Sequence, residues 1–261
     1  MITITTLHDP ENRMIPIINQ IMPALMQACG QIVVVCTKET TELCVQAIQQ
    51  KGAITIHNRG IGYVKNYQLA VQKGLELAHN DEQIFYCDFD RLLHWYKHYP
   101  HELLDLLNHR KLGEFLIIGR TPRAFATRPM TQTSTESLIN QIGSKILGFE
   151  STRDVIVASW ICDQALAKRL LALKTTTKTG FYVFWPIMMW LWASQKQYLE
   201  MEGQEWETPD RYLTEIQQMG YAKWLEQWQK SEEWQKRADI LRDSLDELNT
   251  IMEIKAKSLF N

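Results

Sequence analysis

Ile84-Phe85-Tyr86-Cys87-Asp88-Phe89-Asp90 is the stretch on which the reading of this chain turns. Four consecutive apolar residues suit a strand buried on both faces of a parallel sheet. Two carboxylates follow at once at i and i+2, and in extended backbone such side chains share one face. In an open α/β sheet, ligands collect just beyond the carboxyl ends of the strands. Carboxylates this close call for a positive charge between them, and hard oxygen donors suit Mg²⁺ or Mn²⁺ bridging to a substrate phosphate. The plainer reading is that Asp88 and Asp90 end a strand and open a turn.

Towards the amino terminus the chain alternates strand-like and helix-like stretches. Ile2-Thr3-Ile4-Thr5-Thr6 is β-branched and reads as a first strand. Residues 13–29 place Ile17, Ile18, Ile21, Leu25 and Met26 at helical spacing, with Gly30 as the cap. Ile32-Val33-Val34-Val35-Cys36 is a second strand. A helix starts at Thr40 or Thr41 and ends at Gly52; Ala53-Ile54-Thr55-Ile56 is a third strand. A glycine-bearing loop and a helix over 64–78 lead back to Ile84. This order requires right-handed crossovers and predicts an α/β fold, a doubly wound, mostly parallel sheet flanked by helices.

Beyond Asp90 the pattern predicts a helix over 100–108, a strand over 116–119, and a Thr-, Arg- and Pro-rich loop over 120–135. A helix over 136–147, a short strand over 155–158, a helix capped by Asp163 and a last strand over 197–201 follow. Thr208-Pro209 starts a helix that Gly220 ends. We read 1–207 as one domain and 208–261 as a C-terminal helical extension. In the extension, Trp234, Ala238, Leu241, Leu245, Leu248 and Met252 alternate spacings of four and three. Such a seam either folds against its own domain or pairs with a second copy as a homodimer.

The chain has 261 residues, 45% of them hydrophobic, enough for a real core. A formal net charge of −2 argues against a dedicated nucleic-acid surface, which needs a basic excess. The five cysteines, at 29, 36, 44, 87 and 162, lack the paired spacing of a metal site. Their odd number, their apolar neighbours and the lack of a signal peptide point to reduced thiols in a cytoplasmic protein. The apolar run over 181–193 is shorter than the ~20 residues a spanning helix needs, and Pro186 interrupts it. It reads as a buried core helix, with peripheral membrane contact as the alternative.

The loop before the Ile84 strand's helix is Arg59-Gly60-Ile61-Gly62-Tyr63-Val64-Lys65-Asn66. Gly60 and Gly62 allow close backbone approach, and the helix start beyond them offers free N–H groups to an anion. Lys65 opposes the helix dipole in the first turn, which an anionic ligand would explain. A solvated lysine is the alternative. The glycine spacing and the position after the third strand do not match a dinucleotide fingerprint.

Taken in order, the Thr-rich first strand, the Gly-Ile-Gly-x-x-Lys-Asn loop and the Asp-x-Asp one helix later resemble the nucleotide-sugar-binding half of a GT-A glycosyltransferase. The pattern is most similar to the inverting family-two enzymes and to the synthases of sugar-glycerates and polyprenyl-phosphate sugars. The resemblance covers about residues 1–95, and Lys65 stands where arginine is common. It implies that Thr6, His8, Asp9 and Thr37 lie near the base and ribose of a nucleotide-diphosphate sugar donor. Gly60, Gly62 and Lys65 would sit beside the same donor. Asp88 would touch ribose or metal and Asp90 would bind the metal directly, with Mg²⁺ or Mn²⁺ neutralising the departing diphosphate.

Arg120, Arg123 and Arg128 follow a later strand. Guanidinium forks suit a donor diphosphate or an acidic acceptor, or else these are solvated loop residues. An inverting transferase needs a carboxylate base within reach of the acceptor hydroxyl, and Glu205, Glu207 and Asp210, after the last strand, are the candidates. Phe184-Trp185-Pro186 stands where similar enzymes often carry an acidic residue, so the base stays unassigned. The expected activity is metal-assisted sugar transfer to a small polar or phosphorylated-lipid acceptor. The alternatives are a non-catalytic sugar-nucleotide-binding or scaffold protein, and a nucleotidyltransferase. The last normally has a glycine-rich basic loop after strand one, where this chain has His8-Asp9-Pro10-Glu11.

Overall fold

A computed structural model describes residues 1–258 apart from 59, 61, 109–111 and 176. Arg59 and Ile61 of the glycine loop therefore lie outside the described residues. The first half runs β1 (Ile2–Leu7), α1 (Ile15–Cys29), β2 (Ile32–Cys36), α2 (Glu42–Gln49), β3 (Ile54–His57), α3 (Tyr63–Leu77) and β4 (Ile84–Cys87). Then come α4 (Phe89–His98), α5 (Pro100–Asn108), β5 (Phe115–Arg120), α6 (Pro122–Ala126), α7 (Met130–Leu147), β6 (Ser159–Cys162), α8 (Gln164–Ala172), α9 (Phe181–Trp192) and β7 (Lys196–Met201). A 3₁₀ turn at Thr208–Arg211 precedes α10 (Leu213–Met219), α11 (Tyr221–Glu226) and α12 (Ser231–Ser258).

The strands form one sheet in the order β3-β2-β1-β4-β6-β5-β7. Neighbours are parallel except at β6, which runs antiparallel to both β4 and β5. This is the α/β class the sequence predicts, helices on both faces and a helical C-terminal segment. Strand order reverses between β1 and β4, so a switch point opens beyond their carboxyl ends. The core has two halves. Val33, Tyr86 and Trp160 meet α9 residues such as Phe184 and Ile187 on one face, while Val34, Phe85 and Leu116 meet Ile18, Leu92 and Trp95 on the other.

Several local expectations are corrected. The strand ends at Cys87, and α4 begins at Phe89. Asp88 therefore holds the N-cap position and Asp90 the first helical turn, rather than sharing one face of extended backbone. The stretch 120–135 is not one loop. Thr121 Oγ1 accepts the Ala124 N–H to cap α6, and α7 starts at Met130. Residues 155–158 form no strand, and the Asn140 amide oxygen takes their first two donors, accepting from Val155 N at 2.8 Å and Ile156 N at 3.1 Å. The sheet strand is the next four residues.

The apolar run is α9, buried over most of its length. No helix among the described residues is long and apolar enough to cross a membrane. The helix α12 packs against α7 and α9. Its buried positions are Ser244, Glu247, Leu248 and Ile251, whereas Trp234 and Met252 of the predicted seam are exposed. The inward stripe is thus rotated by about one position, with Leu241 and Leu245 at its margin.

Candidate functional site

Two cavities open beyond the carboxyl ends of the strands and meet. The smaller, about 230 Å³, is lined by Thr6, His8, Thr37, Asn66, Tyr67 and Asp90 among others. The larger, about 340 Å³, is lined by Arg91, Arg120, Glu136, Glu207, Trp228 and Arg237 among others. Both touch Tyr63, Asp88, Tyr182 and Arg211.

The smaller cavity is built by chain ends of β1, β2 and β4 and the start of α3. His8 Nδ1 lies 2.9 Å from Thr37 Oγ1. Asn58 Nδ2 donates to Asn66 Oδ1 at 2.5 Å, fixing the first turn of α3 at the cavity wall. The Tyr86 hydroxyl donates to Asp88 Oδ1 and lies 3.2 Å from Thr6 Oγ1. Burial raises the Asp88 pKa above the usual carboxylate value, although Arg91 and the Tyr86 hydroxyl pull the other way. Asp90 Oδ1 accepts from the Arg91 backbone N–H at 2.8 Å, and Asp90 Oδ2 accepts from the Arg211 guanidinium.

Asp88 and Asp90 offer hard oxygen donors to one cavity, a donor set that fits Mg²⁺ or Mn²⁺. The Arg211 guanidinium is the positive charge on Asp90 in this structure. Among the described residues Arg211 Nε has no hydrogen-bond partner, and burial lowers its pKa. An anion in the cleft would give this guanidinium a second partner and free Asp90 for a cation.

The larger cavity is strongly charged. Arg91 Nε lies 3.7 Å from Glu207 Oε2 and, among the described residues, makes no hydrogen bond. Burial opposes the Arg91 charge, but Glu207 and Asp88 more than offset it and raise its pKa. Burial would raise the Glu207 pKa, yet Arg91 and Arg128 hold it below its usual value and keep it a carboxylate. The C-terminal helix closes this side with Glu233, Lys236, Arg237 and Ile240. Trp206 and Trp228 supply aromatic surface, their rings perpendicular at 5.6 Å.

Of the residues the sequence singled out, Thr6, His8, Thr37, Asp88, Asp90, Arg120 and Glu207 reach a cavity. Others do not. Asp9 is buried and accepts the backbone N–H groups of Arg13 and Met14, each at 3.0 Å, which anchors the entry to α1. Gly60 and Lys65 line a separate shallow hollow with Asn58 and Gln68, and Gly62 serves as the positive-φ residue before α3. The loop reaches the cleft through Tyr63 and Asn66 instead.

The three arginines are dispersed rather than gathered on one phosphate. Arg120 is buried and saturated by Asp154 and Glu136. Arg123 is exposed and bonds Glu202, Glu205 and the Tyr99 hydroxyl. Arg128 lies beneath the floor, donating to Gln204 O at 3.1 Å, and burial beside Arg120 and Arg91 pushes its pKa down to about 9.

Two of the three candidate bases face elsewhere. Asp210 contacts His94, Lys97 and His98, and Glu205 contacts His94 and Arg123. Sequence reading passed over Tyr63, Tyr182, Lys236 and Arg237. Arg91 and Arg211, which also line the larger cavity, were hinted at only by their direct adjacency to Asp90 and Asp210. Gly203 lets the segment after β7 lie on the Trp95 ring, where a Cβ would collide. Its N–H donates to Glu102 Oε2 at 2.9 Å. That close approach delivers Glu207 and Arg211 to the cleft.

No protein-family model matches the sequence. No curated protein matches it significantly. Among solved structures, the chain is similar to glucosyl-3-phosphoglycerate synthase of M. tuberculosis, at 11% identity and a TM-score of 0.47 over 76% of this chain and 70% of that one. A likeness of that size says nothing of this chain's substrate.

Proposed function

We propose that this chain is a glycosyltransferase that binds a nucleotide-diphosphate sugar across the two joined cavities. The observation that carries the reading is the junction itself: Asp88 and Arg211 belong to both cavities, at the switch point of the sheet. The nucleoside would lie against Thr6, His8, Thr37 and Asn66, whose hydroxyl, imidazole and amide groups suit a base and ribose. The diphosphate would lie at the junction beside Arg211, with Arg91 on the wall of the larger cavity, the Nε of each lacking a hydrogen bond among the described residues. Asp88 and Asp90 would hold Mg²⁺ or Mn²⁺, which would supply charge neutralisation to the leaving diphosphate.

The sugar and acceptor would fill the larger cavity. Its size suits a small molecule or a headgroup, and Arg91, Lys236 and Arg237 suit an acceptor that carries phosphate or carboxylate. Glu207 is the candidate base, being a cavity-lining carboxylate kept ionised by two arginines. With a nucleoside diphosphate as leaving group, the chain's main task is to align acceptor oxygen, base and anomeric carbon.

Calorimetry with UDP-, GDP- and ADP-sugars, with and without Mn²⁺, tests the reading. Binding of one base class, strengthened by metal and lost in Asp90→Ala, is expected. Silence with all donors removes the transferase reading; metal-strengthened binding that survives Asp90→Ala removes only the metal assignment.

A further inference from the structure

His94 and His98 lie one turn apart on α4, their ring centroids 4.4 Å apart. Across from them the Thr208–Arg211 turn presents Asp210, with one carboxylate oxygen to each ring. Oδ2 is 2.8 Å from His94 Nδ1, and Oδ1 is 3.3 Å from His98 Nε2. One ligand atom from each of the three residues falls within a 4.8 Å cluster. Ligands at ~2.0–2.2 Å from a tetrahedral ion lie about 3.3–3.6 Å from one another, so an ion would draw the cluster together, with Asp210 turning one oxygen toward both rings.

The outer nitrogen of His94 is also engaged. Its Nε2 lies 3.3 Å from Glu205 Oε1, and Arg123 holds Glu205 through its other oxygen at 2.7 Å. In the tautomer that donates from Nε2 to Glu205, Nδ1 turns its lone pair toward Asp210 and can ligate an ion held between them; a ring carrying both protons donates to both carboxylates instead. A carboxylate behind a histidine that turns its other nitrogen inward is the usual support of a metal ligand.

We infer that His94, His98 and Asp210 form a binding site for a divalent transition ion of the Zn²⁺ or Co²⁺ class, with Glu205 orienting His94. Two imidazoles exclude Mg²⁺ as the preferred ion. This site is separate from Asp88 and Asp90 and holds whether or not the chain transfers sugar. Its effect is mechanical: the ion ties the Thr208–Arg211 turn to α4, and that turn carries Arg211 into the cleft. Lys97 Nζ, 2.8 Å from Asp210 Oδ1, supplies the counter-charge when no ion is bound, and it must swing to solvent when one binds.

Full-length protein stripped with chelator and titrated with Co²⁺ tests the site. One ion per chain is expected, with visible absorption of a nitrogen-ligated low-coordinate ion, displaced by Zn²⁺ and unaffected by excess Mg²⁺. His98→Ala, at a half-exposed position, should abolish the absorption. Glu205→Gln should weaken binding about 10–100-fold. Lys97→Ala should tighten it, an outcome that a purely structural His–Asp contact does not produce. Asp90→Asn should leave it unchanged. No Co²⁺ absorption in wild type, or absorption that survives His98→Ala, or binding that vanishes in Asp90→Asn, overturns the assignment.

Discussion

The smaller cavity takes most of its polar groups from strand ends and one helix start in the first 90 residues, the hydroxyls and amide of Thr6, Thr37 and Asn66 beside the charged Asp88 and Asp90, and Tyr182 and Arg211 reach it from later in the chain. The larger cavity assembles charged groups from α4, α7, the turn after β7 and α12. The first kind of site follows from topology: parallel strands that end side by side bring their next residues together whatever the rest of the chain does. The second kind exists only if distant segments dock correctly. Gly203 must pass over Trp95, and α12 must lie on α7 and α9, before Glu207, Arg211 and Arg237 can meet. Away from Asp88, Asp90 and Arg211 the strand-end cavity suits recognition, and the larger one suits chemistry, so substitutions in the two should separate KM from kcat.

The largest effect is expected at Glu207. Glu207→Gln removes the candidate base while keeping its shape, and kcat should fall about 10²–10⁴-fold with donor binding preserved. Steady-state kinetics beside donor calorimetry read both halves of that statement. A kcat within about threefold of wild type would remove Glu207 from the base's role and shift attention to Glu233, a carboxylate that α12 brings to this cavity.

Next come the arginines, where the same residue type has two fates. Arg120→Met strands Asp154 and Glu136 in the interior and should cost about 3–5 kcal/mol in chemical denaturation. Exposed Arg123→Ala should cost no more than about 1 kcal/mol. The pH dependence gives the sign. Burial would raise the Asp154 pKa, but Arg120 wins and lowers it. Its contribution to stability is thus present above the unfolded value of about 3.9 and is lost as pH falls through the lower folded value. In Arg120→Met the buried carboxylate has lost that partner, so mild acid, which protonates it, should stabilise the variant, whereas the wild type loses the Asp154 contribution only in stronger acid. Equal pH profiles for the two proteins would break the assignment of Arg120 as the partner that holds Asp154 ionised.

A third contrast lies within α12. Ile251 is fully buried, whereas Trp234 is 36% exposed. Ile251→Ala should cost about 2–5 kcal/mol, and Trp234→Ala about 0.5 kcal/mol or less. The reverse order would restore the predicted seam and, with it, pairing to a second copy.

The legibility of this chain follows the same division. Runs such as 32–36 and 84–87 are apolar enough to be strands in any context, so their ends, and Thr37 and Asp88 with them, could be placed from sequence. The strand expected at 155–158 failed where a side chain, Asn140, takes its first two backbone donors. No local pattern announces that. The loop expected at 120–135 failed because a Thr121 cap makes a short helix of a stretch that looks like turn chemistry. Asp210 was read as a candidate base because acidic residues after a last strand often face the cleft; only the approach of α4 shows it bound to His94, Lys97 and His98. Lys236 and Arg237 look like the solvated face of a long helix until α12 is seen against the cavity rim.

The smallest effect expected is at Thr37, and it is the sharpest test of the strand-end cavity. Thr37→Val preserves the β-branched shape at the end of β2 and removes only the hydroxyl that faces His8 Nδ1 and, more weakly, Thr40 Oγ1. A single neutral hydrogen bond is worth about 0.5–1.5 kcal/mol, so donor KM should rise between about twofold and tenfold. The imidazole would turn to water through the open cavity, and kcat should not move, because Thr37 touches neither the junction nor Glu207. If kcat fell instead with KM constant, the smaller cavity would be taking part in the chemical step, and the division of labour between the two would be wrong.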